Sequence, residues 1–87
     1  YQNLPPLYPR VARQKGWEGR VILKVLVERN GLSSQILVEE TSGYQVLDEA
    51  AVLAVKKWIF IPAQAAGIQF SSWVKIPIKF ILEGNGD

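Results

Sequence analysis

The stretch Thr41 to Pro62, TSGYQVLDEAAVLAVKKWIFIP, decides how the chain is read: a turn signal, an amphipathic helix, then an aromatic and proline exit. At about 100° per residue, Leu47, Ala50, Ala51, Ala54, Val55 and Trp58 fall on one side, with Glu49 and Lys56 opposite, which predicts a helix lying on a sheet. Ser42 is the expected cap, and Gly43 loosens the turn before it. Asp48 and Glu49 in the early turns and Lys56 and Lys57 in the last complement the helix dipole. Pro62 biases Ile61 away from helical angles, so the exit runs extended. The large ring of Trp58 is expected to be buried, and Trp58→Ala to cost ~3 to 5 kcal/mol.

Upstream, Arg20 to Glu28 alternates, with Val21, Leu23, Val25 and Val27 on one face and Arg20, Lys24 and Glu28 on the other, the pattern of a half-buried strand. Asn30-Gly31 follows and predicts a two-residue type I′ hairpin, pairing Arg29 with Leu32, Val27 with Ser34, Val25 with Ile36 and Leu23 with Val38. Lys24 then lies diagonal to Glu39, a charge pair. Ile22, Leu26 and Leu37 give the outer face more apolar character than a bare sheet face carries, so the terminal segments or a second copy are expected to cover it. Downstream, Ala63 to Ser72 is read as a loop. Trp73 to Leu82 alternates again, with Val74, Ile76, Ile78, Phe80 and Leu82 against Lys75, Pro77 and Lys79. Proline donates nothing to a ladder, which puts this strand at a sheet edge with Lys75, Pro77, Lys79 and Ile81 facing outward and Ile76, Ile78 and Phe80 bonding inward.

The N-terminal residues 1–7 carry Pro5 and Pro6 and no periodicity, the expected end of a linker. Tyr8-Pro9 opens a short helix that stops at Gly16, with Val11 and Ala12 inward and Arg10, Arg13, Gln14 and Lys15 in water. Trp17 is expected to cover a core edge. Residues 83–87 read as a flexible tail.

Eighty-seven residues make one domain with one core. No apolar run approaches the ~20 residues that span a bilayer, and a chain that begins with Tyr reads as a fragment of something longer. The absence of cysteine and histidine removes disulfides, thiol and imidazole catalysis and most zinc sites. A net charge of +2, with both signs interspersed, is not the concentrated basic face that nucleic acid requires. Asp48, Glu49, Glu39, Glu40 and Ser42 are the acid, base or nucleophile candidates, and each has a simpler role as cap, dipole partner or solvated face. The chain is therefore read as a non-enzyme with no cofactor, no metal and no nucleic-acid partner.

Taken in order, Tyr8-Pro9, Ala12, Gly16, Gly19, the valine-rich strand, Asn30-Gly31, Ser42-Gly43, Leu47-Asp48, Ala51, Ala54-Val55, Trp58, Phe60 to Pro62 and the strand Val74 to Phe80 resemble the C-terminal domain of the TonB family. Ile59 and Ile61 depart mildly from its usual pattern. The resemblance, over residues 8–82, implies an α+β fold of βα-ββ-αβ plan: an antiparallel sheet of about three long strands with two helices on one face. It implies a periplasmic domain at the end of a protein anchored in the inner membrane of a Gram-negative bacterium, driven by a proton-powered complex of the ExbB–ExbD type. Such a domain passes energy to outer-membrane transporters for iron chelates or similar nutrients by gripping their N-terminal box as an added strand. By matching positions the contact residues are Tyr8, Pro9, Val74, Lys75, Ile76, Pro77, Ile78, Lys79, Phe80 and Ile81. A homodimer of the fragment is compatible with this plan. The competing reading is a TonB-like interaction domain recruited to secretion or envelope integrity.

Overall fold

A computed structural model describes residues 3–83. Helix α1 (Arg10–Lys15) precedes strands β1 (Gly19–Val27) and β2 (Ser33–Glu40); helix α2 (Gln45–Val55) follows, then the short strands β3 (Ala63–Ala65) and β4 (Ile68–Phe70) and the long β5 (Ser72–Phe80). The main sheet is antiparallel in the order β2-β1-β5, and β3 and β4 form a separate two-stranded ribbon. The expected three long strands are present, with β5 at an edge. The leading strand of the βα-ββ-αβ plan is absent among the described residues: the segment before α1 joins no sheet. The expected tail falls almost wholly outside the described residues.

The alternation of β1 is realised as read, with Val21, Leu23, Val25 and Val27 fully or almost fully buried. Leu47, Ala51 and Val55 of α2, Ala12 of α1, and Ile78 and Phe80 of β5 complete the core. Each buried Val or Leu contributes about 1.5–3 kcal/mol of apolar transfer, so Leu47 and Val55 seat α2 while the small Ala51 between them lets it approach the sheet. Ala50, Ala54 and Trp58 are half-buried at the flanks of that seam.

Both ends of α2 differ from expectation. Its capping residue is Tyr44, which makes no side-chain cap bond, and the helix ends at Val55, so Lys56 and Lys57 lie beyond its last turn. Ser42 acts one step earlier. Its hydroxyl accepts the Tyr44 N–H at 3.2 Å and donates to the Asp48 carboxylate at 2.7 Å, its own N–H donates to Asp48 at 3.0 Å, and the Thr41 hydroxyl donates to the other oxygen. Asp48 thus ties the end of β2 to the first turn of α2. Burial pushes its carboxyl up, but the Thr41 and Ser42 hydrogen bonds outweigh burial and hold it below the ordinary aspartate value. A carboxyl depressed in the folded state contributes stability above its unfolded pKa of about 3.9, which is lost as pH falls through the folded value. Asp48→Asn should remove that part of the acid limb, so that its urea midpoint falls less than wild type's below about pH 4. Parallel acid limbs in the two proteins would show that Asp48 does not carry the effect.

The β1–β2 turn is also corrected. The Gly31 N–H donates to the Glu28 carbonyl and the Glu28 N–H to the Leu32 carbonyl, both at 2.8 Å, while the Asn30 side chain accepts the Leu32 N–H at 3.0 Å. Gly31 has φ +87° and Asn30 does not share the left-handed region. This is a type I turn followed by a bulged glycine rather than type I′. Val25 still meets Ile36 and Leu23 meets Val38, but Val27 pairs with Ser33 instead of Ser34, and a second irregularity falls between Ile22 and Leu23. The region read as a loop holds the type I′ turn instead. Ala66 and Gly67 have φ +52° and +80°, and they close β3 onto β4 with Ala65 opposite Ile68.

Ahead of α1 the chain forms a strap. The Asn3 amide accepts the Ile59 N–H at 2.9 Å and donates to the Ile59 carbonyl at 3.0 Å, and the Trp58 indole N–H donates to the Leu4 carbonyl at 2.6 Å. Trp58 is therefore half-buried, packed against the core edge beneath the strap rather than sealed within it. The expected cost of Trp58→Ala drops from the core range to about 2 kcal/mol. In urea melts Trp58→Phe should recover most of it, losing only the Leu4 bond.

Candidate functional site: the open edge of β5

A three-stranded sheet has two open edges, and these two differ. The β2 edge belongs to a strand with two register irregularities, a device that bends an edge away from pairing. The β5 strand pairs with β1 through nine consecutive residues, Gly19↔Phe80 to Val27↔Ser72, with no break. It presents the straighter template.

Backbone parity follows from one anchor. The Glu28 N–H bonds to Leu32, so Glu28 faces the β2 side, and alternation along β1 turns Val27, Val25, Leu23, Val21 and Gly19 toward β5. Their partners Ser72, Val74, Ile76, Ile78 and Phe80 bond inward, leaving Trp73, Lys75, Pro77 and Lys79 with main-chain groups at the open edge. Pro77 pairs with Ile22, a position where no inward N–H is needed.

Ile78 and Phe80 are core residues and Val74 and Ile76 are half-buried on the same side, so these four position the strand. Lys75, Pro77 and Lys79 are exposed on the outer face, and Ile81 is exposed just past the strand. The Tyr8 ring meets Phe80 edge-on at 5.3 Å and its hydroxyl donates to the Trp17 carbonyl, which brings Tyr8 to the C-terminal end of β5. Burial, then the nearby Glu18 charge, raises the Tyr8 phenol above its usual value. Pro9 precedes the first turn of α1. Beyond the strand, the Leu82 N–H donates to the Glu18 carboxylate at 2.7 Å, which ties the chain down where it leaves the edge.

On the outer face the lysines are not equivalent. Lys75 reaches across β1 to Glu39 at 2.9 Å, and this hydrogen-bonded carboxylate holds its ammonium above the usual lysine value. Lys24, expected to pair with Glu39, lies instead 5.2 Å over the Trp73 ring. Lys79 has no ion-pair partner among the described residues. Leu37 and Trp73 remain about half-exposed on this face. The strap runs along Trp58, Ile59 and α2, so the described N-terminal residues do not cover the outer face as expected. A separate groove of about 510 Å³ between strap and helix is walled by Leu4, Leu7, Leu53 and Trp58, with Lys57 its one charged neighbour. No set of polar groups converges there to orient a small ligand.

Sequence reasoning missed the Asn3 clamp, the Glu18 tie and the β3–β4 ribbon. For the ribbon a signal existed: Ala63 and Ala65, then Ile68 and Phe70, flank a glycine-containing turn with alternation on both sides.

The class the structure defines is a small α+β domain with one sheet edge paired without a break and an aromatic brace at its end. Residues 5–82 match the family described as Gram-negative bacterial TonB protein C-terminal, and the chain belongs to that family. It is similar to Protein tonB2 of Pseudomonas aeruginosa, 46% identical over 80 residues, which cover 92% of this chain and 30% of that protein. It is also similar to Protein TonB of Vibrio cholerae, 37% identical over 82 residues, covering 94% of this chain and 34% of the other. The chain thus spans about a third of these relatives. The solution structure of the Pseudomonas aeruginosa TonB C-terminal domain superposes with a TM-score of 0.82 at 28% identity, covering 98% of this chain and 86% of that one. A Helicobacter pylori TonB C-terminal domain gives 0.71 at 25% identity, covering 92% and 84%.

Proposed function

We propose that this domain is the receptor-binding end of a TonB-type energy transducer, working in the periplasm. It grips the N-terminal box of TonB-dependent outer-membrane transporters as a strand added to the β5 edge. In this reading the intact protein is anchored in the inner membrane, draws on a proton-driven complex of the ExbB–ExbD type, and serves uptake of iron chelates or similar nutrients. The observation that carries the grip is the unbroken β5 ladder with its outward row Trp73, Lys75, Pro77 and Lys79, beside a β2 edge that is bulged twice. Main-chain bonds supply affinity with little dependence on side chains, which suits one domain serving several transporters. Pro77 removes one outward donor but keeps its carbonyl, so wrong strands are discouraged while the edge stays usable. Tyr8 and Pro9 frame the end of the edge where a captured strand would meet α1.

The test is a titration of the domain with labelled N-terminal peptides of TonB-dependent transporters, followed by anisotropy. Saturable binding is expected, with amide shifts concentrated on β5. Shifts confined to β2, or no binding by any peptide, would overturn the grip, and the recruitment to secretion or envelope integrity would take its place. The half-exposed Leu37 and Trp73 also support pairing of two copies through the outer face. Sedimentation should then show a mass that rises with concentration in wild type and stays monomeric in Leu26→Lys.

A further inference from the structure

The usable edge does not stop at Ser72. β4 leads into β5 through Ser71 with no turn or bend between them. Ala65 and Ile68 flank a two-residue type I′ turn, the positions that exchange main-chain bonds in such a hairpin, so the main-chain groups of Ile68, and by alternation Phe70, face β3. Ile68 and Phe70 share the even parity of Ser72 and Val74, which face β1. With an extended Ser71, β3 therefore takes over from β1 as the inner neighbour. The outward row then continues as Gln69, Ser71, Trp73, Lys75, Pro77 and Lys79.

The side chains continue in the same register. With alternation carried through Ser71, Ile68 and Phe70 fall on the side of Val74 and Ile76, and Ala63 and Ala65 lie opposite them across the ribbon. α2 packs over β1 and β2, so this part of the helix-side face is left open, with Ile68 70% and Phe70 46% exposed. No charged residue occurs from Trp58 to Val74. Exposed apolar residues on a charge-free ribbon are an aggregation liability unless something is meant to lie against them.

The geometry points to the β3–β4 ribbon as a second half of the capture site: it receives the continuation of the same extended transporter segment bound at β5, choosing uncharged segments with apolar residues at alternate positions. This rests on the strand-addition reading of β5. The occupant is one continuous strand because the outward row is continuous with the β5 edge, and only an extended chain can satisfy groups repeating every second residue. Side chains projecting from its far end toward the helix side would lie beside Ile68 and Phe70, where no helix competes. Charged side chains there would lose hydration without a partner, which gives the ribbon a selectivity that β5 alone lacks.

The experiment uses two labelled peptides from one transporter N-terminus, a short one that spans β5 alone and a long one that reaches across the ribbon. Wild type should bind the long peptide about tenfold more tightly. Ile68→Ser with Phe70→Ser should abolish that advantage and leave the short peptide within about twofold. Gln69→Pro, which removes an outward donor without touching the β3 ladder, should do the same. Equal affinity of wild type for both peptides, or a long-peptide advantage that survives all three changes, overturns the ribbon's role and leaves the β5 grip standing. Failure of wild type to bind either peptide overturns both. If the ribbon changes alter only the concentration-dependent mass, the ribbon pairs copies of this chain and the proposal fails. Thermal melts of each variant confirm that the domain is folded when the affinities are read.

Discussion

Ile78→Pro should unfold the domain, whereas Lys79→Pro, one residue further, should leave it folded and weaken peptide capture. Ile78 sits opposite Val21 within the ladder, bonds inward, and is 8% exposed. Proline there removes a ladder donor, sets a ring against the neighbouring strand and deletes a core side chain. The combined cost is about 3 kcal/mol or more, a large share of the stability of a domain this size. Lys79 points its N–H at the open edge and its side chain at water. Proline there removes a donor that no intramolecular partner uses, as Pro77 does naturally two residues earlier. Chemical melts read the first effect and peptide titration the second. If Lys79→Pro unfolds the protein while Ile78→Pro does not, the parity of β5 is inverted. If both fold and bind like wild type, β5 is not the grip.

Gly31→Ala should cost about 2–4 kcal/mol, far more than a left-handed glycine usually does. A Cβ built on Gly31 lies 2.5 Å from the Phe60 carbonyl oxygen, a backbone atom that cannot swing aside. The Phe60 N–H donates to the Gly31 carbonyl at 2.8 Å, so retreat of either segment breaks the bond that holds the post-helix segment against the β1–β2 turn. Gly16→Ala is the control. Gly16 also has a positive φ, +71°, but nothing lies within 4 Å of the added methyl, so only the conformational penalty of about 1 kcal/mol applies. Equal losses in the two variants would show that conformation alone, and not the Phe60 contact, makes Gly31 necessary.

Ile78 and Gly31 fall on opposite sides of the line between what was legible in the residues and what was not. The parity of β5 is readable from the residues alone. Its period of two is strict, a proline inside it leaves one acceptable orientation, and Pro77 has no inward bond to break. β1, the buried side of α2 and the edge position of β5 were legible for the same reason, since each is dictated by a local period and the need to bury one face. The order of its short motifs also placed the chain in the TonB C-terminal family.

What happens at Gly31 was not legible, because the contact that decides it comes from Phe60, far along the chain. Asn30-Gly31 carries the chemistry of a type I′ turn, and in isolation that preference would rule. The approach of Phe60 and the Asn30–Leu32 hydrogen bond hold a type I turn with a bulged glycine, and the bulge shifts the end of β2 by one residue. Ser42, Asp48 and Thr41 form one bonded group rather than a simple cap, which required β2 and α2 to be placed first. Trp58 looks buried on a helical wheel, but the helix ends before it and only the strap lies above. The strap and the Lys75–Glu39 pair join segments whose separation in sequence carries no periodic signal, whereas the β3–β4 ribbon is local and its alternation was there to be read. Local periodicity determined which residues face the core and which face the edge; contacts between segments apart in the chain decided the β1–β2 turn and the start of α2.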